Sequence, residues 1–163
     1  MSDKSLSSWI PAYKKALASG ELQETYQELV SIVQMLRTEF LKKYKGKYSV
    51  ANMLHGYIDF TYFYLQNSFL KKHKLKLAIV LNHQKTQFEL WLLGQTKEVQ
   101  ISVWEKLNGI EWVDEQQMPQ YSVSEIVMLA NPDFDNRKYL SESIHHSFAL
   151  LTREIFEALE ARE

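Results

Sequence analysis

The residues best suited to binding chemistry lie in two short segments where polar and aromatic types recur at every second position. Alternate residues of a strand point to one face of a sheet, so each segment would present its members together. Aromatic rings supply flat apolar surface, whereas carboxylates and amides supply hydrogen bonds and metal ligands. The candidate ligand-binding residues are Tyr57, Asp59, Thr61, Gln87, Glu89 and Trp91.

The two carboxylates in this set, Asp59 and Glu89, permit two interpretations. If the two segments adjoin, they form a shallow cup for a small polar ligand, and the carboxylates with water are candidate ligands for Mg²⁺. A carboxylate buried alone among aromatic side chains is costly, so it would need a basic partner, a backbone donor or a metal. The simpler alternative is that both face water on an exposed strand.

Three other groups combine a functional and a structural interpretation. His83, at the entrance to a predicted turn, is either an acid–base group near neutral pH or a turn residue. His145 and His146 are adjacent on a predicted helix and point about 100° apart, so they cannot serve one metal. Segment 131–136 alternates acidic and amide residues but lacks the glycine and distal glutamate of a calcium loop, which favours a helix N-cap.

Lysine is concentrated in residues 42–47 and 71–76. Such clusters contact phosphates in nucleic-acid-binding proteins, but lysines at helix C-termini give the same pattern. Residues 1–82 hold 12 Lys and Arg against 6 Asp and Glu, and residues 83–163 hold 7 against 14. Opposite charges in two halves of one domain favour pairing within the fold. We therefore expect a small ligand or a protein as partner rather than nucleic acid, and the oligomeric state stays open.

The composition excludes several classes of protein. The chain has no cysteine, which excludes disulfides, thiolate metal sites and cysteine nucleophiles. It also lacks the glycine-rich phosphate loops and the Gly-x-Ser-x-Gly motif, so no cofactor is implied. The longest apolar run, 77–81, is too short to cross a bilayer, and the expected location is the cytoplasm. With 4 Trp, 9 Tyr and 8 Phe, the rings either line a groove or crowd the core.

Hydrophobic periodicity predicts an α/β (α+β) fold in one globular domain over residues 11–163, after a disordered or extended N-terminus at 1–10. Apolar residues that recur at three- and four-residue steps predict long helices from 21 to 44 and from about 136. Shorter helices are predicted at 11–19 and 95–107. Strand-forming runs at 57–65, 75–82, 87–93 and 125–130 predict a four-stranded mixed sheet, in which the second and third strands form a central antiparallel hairpin. The last strand would run parallel to one of the earlier strands, which it would reach through a right-handed crossover.

Four motifs together resemble a family of small bacterial proteins known only as a domain of unknown function: GYIDFTYFYL at 56–65, LKLAIVLNH at 75–83, FELWLLG at 88–94 and PDFD at 132–135. The resemblance spans about residues 11–155 and implies no activity, ligand or catalytic residue. The element order is also similar to that of the PD-(D/E)XK nuclease-like fold. That fold implies an acidic residue on the second core strand and Glu-x-Lys on the third, but here the second strand has no carboxylate and Trp91 occupies the lysine position.

Two functions from different classes follow from these observations. The first is a non-catalytic ligand-binding or protein-interaction domain, supported by the many rings and by the lack of a complete catalytic set. The alternative is a metal-dependent nuclease-like or phosphodiesterase-like enzyme that uses Asp59 and Glu89, with a degenerate site.

Overall fold

The computed structural model describes residues 5–163 of the chain, and regular elements follow the hydrophobic patterns closely. Within this region there are five helices: α1 (Leu6–Leu17), α2 (Glu21–Lys43), α3 (Ser68–Lys72), α4 (Lys97–Lys106) and α5 (Arg137–Ala161). The same region contains six strands: β1 (Ser49–Val50), β2 (Leu54–Gly56), β3 (Phe60–Gln66), β4 (Leu75–Asn82), β5 (Gln87–Gly94) and β6 (Ser124–Leu129). The fold is therefore α+β, as the sequence predicts.

Three helices begin at side chains that satisfy otherwise unpaired backbone N–H groups. Asn67 caps α3 by accepting from Leu70 N, and Thr96 caps α4. At α5 the cap is Asn136, which accepts from Tyr139 N at 3.1 Å. The predicted N-cap within segment 131–136 is thus confirmed.

The strands form one sheet in the order β1-β3-β4-β5-β6, and β2 pairs with β3 beside β1. Every pairing is antiparallel, and the predicted hairpin of β4 and β5 is confirmed from Leu75↔Gly94 to Asn82↔Gln87. The predicted mixed sheet of four strands is wrong in two respects. Two short edge strands precede β3, and β6 is antiparallel to β5 because segment 95–123 returns to the same end of the sheet, where Ser124 pairs with Leu92.

Two predicted element boundaries differ from the structure. The strand predicted from residue 57 begins at Phe60, because 57–59 form the turn between β2 and β3, in which Gly56 pairs with Phe60. Tyr57 adopts φ 57°, a left-handed conformation that strand propensity does not anticipate. Helix α1 begins at Leu6 rather than 11, so 6–10 of the segment predicted as disordered or extended are helical, and residues 1–4 lie outside the described region.

One face of the sheet carries the main core. Odd-numbered residues of β3 and β4, such as Phe63 and Ile79, point into it together with Leu90 of β5. Helices α2 and α5 cover this face through Phe40 and Phe148, whose rings meet edge to face at 5.0 Å. The two predicted long helices are confirmed, and so are their buried stripes, except that Leu22 and Leu41 of the predicted α2 stripe are exposed. Within residues 5–163, no helix is both long and apolar enough to cross a membrane.

The second face of the sheet carries a smaller cluster made entirely of strand residues. Its buried members are Ala78, Val80, Trp91 and Leu93, and its half-buried members are Phe60, Tyr62 and Tyr64. No helix of the described region contributes to this cluster. The rings therefore face each other and the solvent across the open side of the sheet, where a ligand has room to approach.

Candidate functional site

The open face of the sheet forms a groove of about 420 Å³, called the aromatic groove below. The alternation of β3 places Phe60, Tyr62 and Tyr64 on this face, while Trp91 of β5 stands opposite them. Phe60 and Trp91 meet at 5.0 Å and Tyr62 and Tyr64 at 5.4 Å, both edge to face. The groove is lined by Gly56, Tyr57, Asp59, Phe60, Tyr62, Tyr64, Lys76, Ala78, Trp91, Leu93, Gly94 and Tyr121.

A single cation lies among the lining residues of the aromatic groove. The Lys76 ammonium is 3.7 Å from the centre of the Tyr64 ring, a cation–π contact. Burial lowers the pKa of Lys76 below its ordinary value. Burial also raises the pKa of Tyr64 to about 12, and the neighbouring Tyr62 adds to this effect. Tyr64 is therefore neutral near pH 7, and the groove combines the Lys76 amino group and neutral rings with the Asp59 carboxyl group at its rim.

A buried carboxylate fixes the position of the tryptophan beside the groove. Glu89 is 3% exposed and accepts three hydrogen bonds: 2.8 Å from the Trp91 indole N–H, 2.6 Å from Gln87 Nε2 and 3.1 Å from Asn82 Nδ2. Three donors offset the cost of burying the charge. Both carboxylate oxygens are occupied within the protein, so Glu89 orients the indole rather than offering a free ligand.

The structure brings together five of the six predicted site residues. Trp91, Tyr57 and Asp59 line the groove, the last two at its rim in the turn before β3. Gln87 and Glu89 lie on the same face and hold Trp91 in place. Thr61 does not join them.

Thr61 lies on the opposite, helix-covered face of the sheet. It is fully buried, and its hydroxyl hydrogen-bonds to His83 Nε2 at 2.7 Å. The grouping of Thr61 with Tyr57 and Asp59 on one open strand face is therefore wrong. Strand alternation stops at Phe60, so residues 57 and 59 are not in register with 61.

Sequence reasoning missed the residues that give the groove its character. Phe60, Tyr62 and Tyr64 share one strand face, as alternation predicts, but that face adjoins Glu89 and Trp91 rather than the helices. The signal that identifies it is the register of three strands: Tyr62 pairs with Val80, which pairs with Glu89. Lys76 and Tyr121 also reach the groove only through tertiary structure.

His83 lies in a second cavity of about 580 Å³ between α2 and the turns before β3 and after β4. Its ring stacks on that of Tyr26 at 5.1 Å. The pKa of His83 is lowered by burial, with a smaller opposing effect from Asp59. A neutral, stacked histidine bonded to the buried Thr61 hydroxyl fits a packing role at the end of β4.

The described residues offer little to a metal. Within 5–163 there is no group of three or more His, Asp or Glu side chains that could hold an ion. Asp59 stands in the turn before β3, whereas the oxygens of Glu89 are occupied by Asn82, Gln87 and Trp91. This geometry gives no support to a shared Mg²⁺ at the two carboxylates.

A third cavity, of about 750 Å³, lies beside β6 and is called the acidic cavity. Its carboxylates are Glu111, Asp114, Glu125 and Glu154. Burial raises the pKa of Glu125, and the nearby Glu89 charge adds to this effect. The acidic cavity is larger than the aromatic groove, but it lacks the groove's combination of stacked rings and a cation.

These features define a class: an α+β protein with helices on one face of an antiparallel sheet and an aromatic groove on the other. The chain belongs to the family described as Domain of unknown function (DUF7000), whose model matches residues 6–159. No curated protein and no solved structure shows a significant match to it.

Proposed function

We propose that the chain is a non-catalytic binding protein whose aromatic groove takes a small, flat organic anion. The observation that carries this proposal is the position of Lys76, whose ammonium lies over the Tyr64 ring at one end of a groove lined by aromatic side chains. Rings stack on flat ligands, and a partly desolvated cation attracts a carboxylate, sulfonate or phosphate.

The charge environment of Lys76 supports the same proposal. Among residues 5–163 no carboxylate lies within salt-bridge distance of its ammonium, which instead contacts the Tyr64 ring. Burying a cation without an anion costs free energy, which is visible in the lowered pKa of Lys76. A bound anion would recover that cost, so affinity should depend on the ligand's negative charge.

The rigidity of the groove floor supports binding without large rearrangement. Trp91 is held by its bond to Glu89, and Glu89 by Gln87 and Asn82. A pre-positioned ring loses little conformational entropy when a ligand stacks on it. The volume of about 420 Å³ lies within the range of small-molecule sites.

Calorimetry with matched ligands tests the proposal. We expect 2-naphthoate to bind, and we expect neither naphthylmethylamine, which reverses the charge, nor decalin carboxylate, which removes the flat ring, to bind comparably. Lys76→Met should weaken naphthoate binding about tenfold, equivalent to about 1.4 kcal/mol. Lys72→Met, which removes an exposed lysine from the last turn of α3, is the control.

Two results would contradict the proposal. Equal binding of the anion and the amine would show that Lys76 does not select charge. Unchanged naphthoate affinity in Lys76→Met, with the variant folded by circular dichroism, would place the ligand outside the aromatic groove.

A further inference from the structure

A fourth cavity, of about 390 Å³, is lined by Gln66, two residues beyond Tyr64 of the aromatic groove, and is called the lysine cleft. It is formed where the segment after α2 passes the start of α3. Its polar lining residues include Lys47, Ser49, Gln66, Ser68 and Lys71. The two lysine clusters of the sequence, 42–47 and 71–76, therefore meet at one cavity.

The lysine cleft continues the aromatic groove along a single strand. Tyr64 lines the groove and Gln66 lines the cleft, and both point to the open face of β3. Residues two apart on a strand are separated by about 6.6–6.8 Å, so a ligand in the groove lies within a few bond lengths of the cleft. The Gln66 side chain is fixed at this junction because its Nε2 donates to Leu75 O at 2.9 Å, and the Gln66 backbone carbonyl accepts from Ser49 Oγ at 3.1 Å.

The positive charge around the cleft has no compensation within the described chain. Residues 5–163 contain three ion pairs, His73–Glu163, Arg137–Glu28 and His145–Glu39, and none includes a lysine. Glu163 is the acid beside the second cluster, and it is engaged by His73 at 2.7 Å. The cleft thus holds more free positive charge than the single carboxylate of a flat ligand would neutralise.

Phosphate matches this arrangement better than carboxylate does. A phosphate monoester carries a charge of about −1.5 to −2 near pH 7 with three acceptor oxygens. Lysine ammonium groups bind phosphate as point charges, and serine hydroxyls add hydrogen bonds. The cleft has no glycine-rich loop, so side chains would hold the phosphates.

From this juxtaposition we infer that the ligand of the open face is a nucleotide, with its base in the aromatic groove and its phosphates in the lysine cleft. The inference rests on the proposed function of the aromatic groove and adds the ligand's chemical class. Lys76 stands at the junction and contacts the first phosphate, and Lys47 and Lys71 contact those further along. Each added phosphate therefore strengthens binding.

Calorimetry with adenosine and its mono-, di- and triphosphate tests this inference. We expect affinity to rise along the series, and the triphosphate to bind more weakly as salt is raised. The double variant Lys47→Gln, Lys71→Gln should bring triphosphate affinity down about tenfold, toward that of the monophosphate, at unchanged adenosine affinity. The double variant Lys14→Gln, Lys15→Gln makes the same change in charge on exposed positions of α1 and should have no effect.

The alternative outcomes separate the two proposals. If naphthoate binds but adenosine triphosphate binds no better than adenosine, the nucleotide inference fails and the proposed function stands. If tripolyphosphate binds as well as the nucleotide and Tyr62→Ala has no effect, the cleft is an independent phosphate site and the inference also fails. An affinity that grows with the length of single-stranded oligothymidylate would identify a polymer as the ligand and overturn it as well. If no flat anion binds at all, both proposals fail.

Discussion

The Trp91 indole N–H donates a 2.8 Å hydrogen bond to Glu89 Oε1, on the face of the sheet that no described helix covers. The bond joins residues two apart on β5, so the carboxylate and the ring stand side by side. A charge that is 3% exposed is maintained there because its remaining oxygen accepts from Gln87 and Asn82. The order of the groove floor depends on this carboxylate.

Glu89→Gln should destabilise the fold by about 1–3 kcal/mol, because the new amide group turns a donor toward at least one existing donor. Urea denaturation monitored by circular dichroism measures the change, and tryptophan fluorescence should report a less ordered Trp91. Glu125→Gln is the matched control on the adjacent strand. It removes a charge that Glu89 repels, so its stability should be unchanged or slightly higher.

Phe148→Ala should cost about 3–5 kcal/mol, because the ring is 1% exposed between Phe40, Tyr44 and Tyr48 and its loss leaves a cavity. Leu150 lies two residues further along α5 and is 47% exposed, so Leu150→Ala should change the denaturation midpoint little. Chemical denaturation of both variants makes the comparison. Equal losses would mean that α5 does not pack through this face.

Stability should decrease as the solution is acidified, because burial lowers the pKa of His145. Its Nε2 lies 3.3 Å from Glu39, its ring stacks on Phe40 at 4.3 Å, and its buried Nδ1 has no partner among the described residues. An unfolded chain binds the proton at an ordinary pKa of about 6.5, whereas the folded chain resists it. The contribution of neutral His145 to the free energy of unfolding is therefore fully present above this pH. It decreases as the pH drops toward the lowered pKa of the folded state.

Urea midpoints measured from pH 5 to pH 8 test this sign. His145→Gln should make the urea midpoint depend less steeply on pH. A variant that also carries His83→Gln should reduce this dependence further, because burial lowers the pKa of His83 too. His146→Gln, at the exposed neighbouring position, is the control. A slope unchanged in His145→Gln would contradict the prediction.

Gly94→Ala should destabilise the protein by about 1–3 kcal/mol, the usual range for overpacking. A Cβ at this position would lie 2.6 Å from Gln100 N, a backbone atom of α4 that cannot rotate away. At Gly109 the nearest atom to an added Cβ is 3.9 Å away but φ is 93°, so Gly109→Asn should cost about 1 kcal/mol through backbone strain and not through overpacking. Thermal melting of the two variants distinguishes a close approach from a simple loss of glycine.

Much of the fold was predictable because its signals are local. The stripes of α2 and α5 repeat with the helical period, and a four-residue link between two apolar runs specifies the β4–β5 hairpin. The direction of β6 was not predictable, because it depends on where segment 95–123 returns the chain. The turn at 57–59 was hidden by strand-forming residues, and only tertiary structure holds Tyr57 at positive φ.

The candidate site was predictable in composition and not in assembly. The face shared by Gln87, Glu89 and Trp91 follows from alternation within one strand. Which face of β3 meets it depends on the register between strands, and that register brought Tyr62 and Tyr64 to the site in place of Thr61. Lys76 and the lysine cleft depend on pairings between distant segments, which hydrophobic periodicity does not encode.

The sheet's two outer strands lie beside opposite charges. The lysine cleft lies beside β1, and the acidic cavity beside β6, at the other end of the strand order. With four strand spacings of about 4.8 Å between them, these charges give a nearly neutral molecule a permanent electric dipole across the strands. Near a negatively charged surface the molecule would orient its β1 edge toward that surface. Close to its isoelectric point it should be retained by both cation- and anion-exchange resins at low ionic strength.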